Sequence, residues 1–178
     1  MNEAASLVPG GMVAVLGLGY SDVSELADAN NVWISNDNAP GNITVSGGVD
    51  ALKTFCVAAK ERGAYKIQKL QTSGAWHCPY MAPAVSGLAA AASEVSWQPM
   101  AVPVIDNSTV SKLEVENIQQ RLLFQLTKPV RWYETVQYLC GLGVTEFIEI
   151  SHFSLLRKIG VFISRRVKWK SVYSCRDH

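Results

Sequence analysis

The sequence predicts an α/β fold of the α+β kind, and three observations carry that expectation. Residues 12–70 read in the order β-α-β-β-α-β. Two segments within them place apolar residues at helical spacing. Beyond residue 71, helical patterns alternate with short apolar strands, as in part of a parallel α/β sheet.

The elements justify themselves in turn. Met12 to Leu18 (MVAVLGL) is a Val-rich apolar run with strand character. Ser21 is placed as an N-cap, and Val23, Leu26 and Ala27 continue at helical spacing up to Asn30. Val32 to Ser35 is a second short strand. Asn36-Asp37-Asn38-Ala39-Pro40-Gly41 has the chemistry of a turn, with side chains that bond their own backbone before a Pro and a Gly. Ile43 to Ser46 alternates like a strand and Gly47-Gly48 ends it. Asp50 opens a helix with Leu52, Phe55, Cys56 and Ala59 on one face, closed by Gly63. Ala64 to Leu70 alternates again, with Tyr65, Ile67 and Lys69 on one side. This order is that of a split βαβ, or ferredoxin-like, unit, with two helices on one face of an antiparallel sheet.

The second part starts with an irregular stretch, Gln71 to Tyr80. Met81 to Val95 is an Ala-rich helix with Val85, Leu88, Ala89 and Ala92 in register. Val102 to Ile105 is a predicted strand. A helix starts at or near Ser111, aligns Val115, Ile118, Leu122 and Leu126, and stops at Pro129. Tyr133 to Leu142 is a helix with Val136, Leu139 and Cys140 inward, and Glu146 to Ile150 is a strand. Three segments follow: 12–70 as the small ferredoxin-like subdomain, 71–150 as part of a larger one, and 151–178 as a basic tail.

Composition bounds the rest. The 178 residues are 48% hydrophobic and 17% charged, which is globular rather than disordered. No apolar run approaches a membrane span. Residues 1–11 lack the basic start and long apolar core of a secretory signal. The four cysteines, Cys56, Cys78, Cys140 and Cys175, are scattered without a CxxC pair, which fits free thiols in a reducing compartment. The net charge of +1 hides an asymmetry. Residues 151–178 hold seven Lys or Arg and one acid, and residues 1–150 hold nine basic and fourteen acidic residues. Leu155, Leu156, Ile159, Val161, Phe162 and Ile163 mix with that basic tail, which reads either as a membrane-surface helix or as a badly folded or solvated end. Charge alone supports nucleic-acid binding, and no motif joins it.

Among residues that carry chemistry, His77 stands out. It lies between Ser73-Gly74-Ala75-Trp76 and Cys78-Pro79, at the seam of the two parts. Such a place suits proton transfer, and it equally suits a structural His bonded to backbone. His152 follows a strand, and His178 is terminal. Cys78 adjoins His77 in sequence, so its side chain should diverge from the imidazole. Cys56 and Cys140 fall on apolar helix faces and read as small buried hydrophobes. No GxSxG elbow occurs, no set of residues has metal-ligand spacing, and Gly17-Leu18-Gly19 lacks the third glycine of a dinucleotide loop.

The residues also resemble a family. Asn36-Asp37-Asn38-Ala39-Pro40-Gly41 with Val45-Ser46-Gly47 is similar to the NxNxPGQxVxSG stretch of malonyl-CoA:acyl-carrier-protein transacylases. Ser73 to Met81 resembles their SGAFHSxLM motif, and Pro103-Val104-Ile105-Asp106-Asn107 their PVxSN strand. Gln125 to Trp132 is similar to their QLxxPVxW turn, and Gly143 to Ile150 to the strand before their terminal GPG. The matches fall in order and cover about Met1 to Ile150.

The resemblance implies a ferredoxin-like subdomain joined to a partial α/β-hydrolase-like acyltransferase subdomain. It implies an acyltransferase of fatty acid biosynthesis that moves malonyl from malonyl-CoA to the phosphopantetheine thiol of an acyl carrier protein, through an acyl-serine. His77 takes the catalytic base role by this likeness, and Gln125 and Asn38 fall at substrate-binding positions. No cofactor and no metal are implied. The expected location is a bacterial cytoplasm, or an organelle stroma or matrix. Departures accompany the match. The GHSxGE-type elbow and the glutamine-bearing loop do not occur in the sequence, and Met1-Asn2-Glu3-Ala4 aligns after the nucleophile and the malonate-binding arginine. Asn42 stands where Gln is usual, and Ser151-His152-Phe153 where Gly-Pro-Gly is usual. The expectation is therefore the C-terminal portion of a transacylase with an aberrant end, inactive alone. The alternative is a non-catalytic remnant or a carrier-protein-binding module.

Overall fold

The structure, a computed structural model, describes residues 1–152 and 154–172. Cys175 and His178 lie outside the described residues. The chain opens with a short helix, α1 (Asn2–Leu7), and continues as β1 (Gly10–Leu16), α2 (Tyr20–Ala29), β2 (Trp33–Ala39), β3 (Asn42–Gly48), α3 (Val49–Glu61) and β4 (Lys66–Lys69). The strands form one sheet in the order β4-β1-β3-β2, and every neighbouring pair is antiparallel. This is the ferredoxin-like arrangement expected from periodicity. Each helix crosses over one intervening strand.

The sheet has two chemically different faces because side chains alternate along a strand. Val13 and Val15 of β1 and Ile43 and Val45 of β3 point to the helices, where they meet Val23, Leu26, Leu52, Phe55 and Ala59 in one core. Gly63, at φ +109, ends the turn after α3 in a conformation that a side chain disfavours. The opposite face carries Met12, Ala14 and Leu16 of β1 with Asn42 and Thr44 of β3. In β2 the register to β3 shifts between Ile34 and Asn36 and again between Asp37 and Ala39. Ile34 packs on the helical core, whereas Asn36, two residues on, lines the opposite face. The bulge accounts for that reversal.

Several boundaries differ from the sequence reading, each for a physical reason. Residues 36–39 are strand rather than turn, because β3 supplies a partner along their length; only Pro40 and Gly41 make the turn. The α2 cap is Gly19 rather than Ser21. The expected strand at 102–105 shrinks to β5 (Ile105–Asp106), paired with β6 (Ser111–Lys112) in a hairpin. The expected helix at Ser111 therefore starts only at Ile118, after a 3-10 turn at Val115–Asn117, as α5 (Ile118–Thr127). Before it lies α4 (Pro83–Ser93), and after it β7 (Val130–Arg131) and α6 (Trp132–Gly141). The strand β7 adds a fifth, parallel member to the sheet, with Asn36 opposite Val130 and Asp37 opposite Arg131.

Within residues 154–172 the tail is folded against the strand before it. It forms α7 (Leu155–Ile163) and β9 (Lys168–Val172), and β9 pairs in parallel with β8 (Glu146–Ile150). Trp169 stacks on Phe147 with ring centroids 4.4 Å apart and presses on Gly160, where any Cβ would enter the indole. The Glu149 carboxylate accepts the N–H groups of Leu156 and Arg157 at 2.8 and 2.9 Å and so caps α7. Ile148, Ile150 and Val172 remain exposed on the outer face of this ribbon. No described helix is long and apolar enough to cross a membrane.

Phe55 is fully buried at the centre of the main core. Phe55→Ala removes an aromatic ring from a packed site and is expected to lower stability by about 3–5 kcal/mol. Urea unfolding followed by circular dichroism measures it; a loss under about 1 kcal/mol would contradict this packing.

Candidate functional site

A cleft of about 630 Å³ lies on the sheet face away from α2 and α3. Asn36, Asn38, Asn42, Thr44 and Gln68 give it a polar wall. Leu155, Leu156 and Ile159 of α7 give it an aliphatic one. His77, Trp76, Asn107 and Trp132 also line it.

His77 comes from the loop after β4. Its backbone is left-handed, at φ +57, which is uncommon for a residue with a Cβ. The neighbouring residues hold it there. Ala75 and Cys78 are buried, and the Cys78 thiol donates to the Ala75 carbonyl at 3.3 Å. Met81 packs with Ala4, Ala5 and Leu126 in a second core. The imidazole is half-buried, and its Nδ1 lies 2.9 Å from the Gln125 carbonyl oxygen. A carbonyl only accepts, so this bond places the proton on Nδ1 and a lone pair on Nε2.

The free carbonyl has a cause in the sequence. Gln125 stands in the last turn of α5, where carbonyls lose their helical partners. The residue four positions on is Pro129, which has no N–H to donate. Residue 125 therefore keeps an acceptor for His77. The side chain of Gln125 turns elsewhere and donates from Nε2 to Asp106 Oδ1 at 2.6 Å. Asp106 is 2% exposed and also accepts from the hydroxyls and N–H groups of Ser108 and Thr109. Burial pushes its carboxyl up, but the bonds from Thr109, Gln125 and Ser108 outweigh that and hold it below the usual range.

Asn38 lines the cleft, and its Nδ2 donates to Thr44 Oγ1 at 3.3 Å and Asn42 Oδ1 at 3.4 Å. Of the three residues singled out by sequence, His77 and Asn38 thus face one cleft. Gln125 meets His77 through its backbone. Cys78 is buried away from the cleft, and desolvation pushes its thiol up to about 11, so it stays protonated. Cys56 and Cys140 are half-buried rather than fully buried. His152 is exposed. Among the described residues no cluster suited to a metal ion occurs.

Sequence reasoning passed over Asp106, Trp132 and the aliphatic wall of α7. The spacing Gln125–Pro129 was the legible signal for the freed carbonyl. The run Asp106-Asn107-Ser108-Thr109 marks only a local turn, in which Asp106 accepts from Ser108 and Thr109; its bond to Gln125, 19 residues away, has no local signal.

No family model matches the chain. It is 33% identical over 174 residues to the malonyl CoA-acyl carrier protein transacylase of Bacillus subtilis (strain 168), covering 94% of this chain and 55% of that protein. The chain is homologous to the malonyl CoA-acyl carrier protein transacylases. The Escherichia coli (strain K12) protein of that name is 30% identical over 155 residues, covering 84% of this chain and 50% of the relative. The transacylase structure from Coxiella burnetii superposes with a TM-score of 0.91 at 28% identity, over 94% of this chain and 56% of that one. A malonyl-transacylase solved in complex with its type II acyl-carrier protein superposes at 0.87 and 28% identity, over 96% and 57%. The chain spans about half the length of the curated transacylases it matches.

One titration in this region is testable. Asp37 is 8% exposed, and burial first, then the nearby Glu134, push its carboxyl up to about 6, against the opposing pull of Arg131. The folded state thus holds a proton that the unfolded chain has already released above about pH 4. Stability falls as pH rises from about 4 through 6 and levels off above. Asp37→Asn is expected to be more stable by about 2 kcal/mol at about pH 7.5, with the gain gone at about pH 4. Urea midpoints across that range check the sign.

Proposed function

We propose that these residues form the base-bearing part of an [acyl-carrier-protein] S-malonyltransferase. The carrying observation is the bond from His77 Nδ1–H to the Gln125 carbonyl, beside a cleft that the imidazole lines. In this reading Nε2 takes the proton of a serine hydroxyl supplied from outside these 178 residues. The oxygen attacks the thioester carbonyl of malonyl-CoA, and the tetrahedral intermediate expels the CoA thiolate, which takes the proton back from His77. The phosphopantetheine thiol of a carrier protein then gives its proton to Nε2 and attacks the acyl-serine. The leaving serine oxygen recovers that proton. Asn38 and Gln125 are the proposed substrate-side residues, Gln125 through the carbonyl that orients the base.

The division into 12–70, 71–150 and 151–178 serves this reading as wall, base-bearing part and closing tail. The proposed location is the bacterial cytoplasm, since the transacylases it is similar to are proteins of bacteria. A second reading, a carrier-protein-binding module without chemistry, draws on Arg157, Lys158, Arg165, Arg166, Lys168 and Lys170 in α7, β9 and the link between them. Carrier proteins are acidic, so such a cluster is the complementary surface.

The test is incubation of the purified chain with labelled malonyl-CoA and holo carrier protein, read by intact mass. The expected outcome is no acyl adduct on the chain alone, because Cys78 is protonated and buried. Transfer should arise when the serine-bearing half of the Bacillus subtilis relative is added, and His77→Ala should reduce it by at least about 10³-fold. A stoichiometric malonyl adduct on the chain alone would overturn the external serine. Salt-sensitive carrier-protein binding with no transfer under either condition would favour the second reading.

A further inference from the structure

We propose that Asp106 is a positioning residue, which sets the tautomer of His77 through the side chain of Gln125. Asp106 Oδ1 holds Gln125 Nε2 at 2.6 Å, and the Gln125 carbonyl holds His77 Nδ1 at 2.9 Å. The last turn of α5 carries no further helical bond at this carbonyl, since residue 129 is Pro. Residues 125–127 are helical, so this carbonyl points along the end of α5 with the His77 imidazole as its partner. The amide clamp to Asp106 holds the same residue from its other end. The side-chain torsions and the carbonyl direction of Gln125 are then fixed together.

Asp106 is itself immobilised. Its two carboxylate oxygens accept Ser108 Oγ at 3.1 and 2.9 Å, Thr109 N at 3.1 Å and Ser108 N at 3.3 Å. The Thr109 hydroxyl adds a further bond, at 2.5 Å. The hairpin loop that carries these residues is tied to β7 where Arg131 N donates to Asn107 O at 2.8 Å. The clamp therefore connects the β5–β6 hairpin, the end of α5 and the loop of His77. A carboxylate at 106 suits this place because it accepts only, and all five of its neighbours here donate.

The inference rests on reading His77 as the base, but its readout does not need turnover. Nitrogen-15 shifts of the His77 ring report the ratio of Nδ1–H to Nε2–H tautomers in the full chain without any acyl donor. The parent chain is expected to hold mainly Nδ1–H. Asp106→Ala and Gln125→Met each should lower that ratio by about 3- to 10-fold, the weight of one hydrogen bond. Gln125→Met keeps the carbonyl and most of the volume and loses only the amide, so it decides the matter if Asp106→Ala does not fold. Phe55→Ala, which destabilises the chain without touching these bonds, should leave the ratio unchanged. Folded Gln125→Met with the parental ratio overturns the proposal, and so does an equal shift in Phe55→Ala. A shifted ratio with no transfer in the complemented assay upholds the positioning role and removes the transferase reading.

Discussion

A missing hydrogen bond donor organises the site. Pro129 cannot give an N–H to the carbonyl four residues before it, and that carbonyl is what His77 uses. A continuing helix would saturate residue 125 and leave the imidazole without a fixed tautomer. The same proline turns the chain out of α5 and into β7, which joins the sheet beside β2. One residue thus ends a helix, frees an acceptor and brings Trp132 to the cleft. The left-handed backbone of His77 has a local cost, of order 1–3 kcal/mol. The buried neighbours Ala75, Cys78 and Met81 offset it by leaving the loop no other way to pack.

The two faces of the sheet divide stability from chemistry. Aliphatic side chains on the helical face supply the core, and the other face is free to carry amides. Strict alternation would put Ile34 and Asn36 on the same side. The bulge in β2 removes that conflict and lets an apolar residue and a polar one, two apart, serve different faces. Asn38 then bonds Thr44 and Asn42 across the strand pair, so the polar wall is held in place by its own members. A wall fixed in this way costs little reorganisation when charge develops beside it.

What the sequence made legible follows from how far each interaction reaches. The β-α-β-β-α-β order was readable because Val13, Val15, Leu52 and Phe55 advertise their burial within one turn or one strand. His77, too, was visible, as a His on a loop between two parts, and the motif likeness assigned it a role. The two-residue strands β6 and β7 were not readable, and β5 was read as a longer strand ending at Ile105. Each exists only because a distant partner accepts it, and two residues carry no period. Ser111 looked like a helix cap and became half of a hairpin for that reason. The link from Asp106 to Gln125 was hidden by the same logic, while its bonds to Ser108 and Thr109 show only a turn. The tail was legible only in part. Its mix of Leu, Ile and Arg suits a membrane surface, and the structure adds what the sequence did not show, a cap from Glu149 and a floor from Trp169 under α7.

That placement of α7 bears on the chemistry. Leu155, Leu156 and Ile159 face the amide wall across the cleft that His77 lines. An aliphatic wall lowers the local dielectric of a cleft, which strengthens the polar interactions made beside it. The wall is only as firm as its support. Glu149 binds the first N–H groups of α7, and the indole of Trp169 rests against Gly160 and donates to the Ser164 carbonyl at 3.1 Å. A side chain at 160 would lift the helix from the ribbon and carry the three aliphatic residues with it. The glycine therefore acts on the cleft from its far side: it lets the helix lie close enough for the aliphatic wall to face the amides.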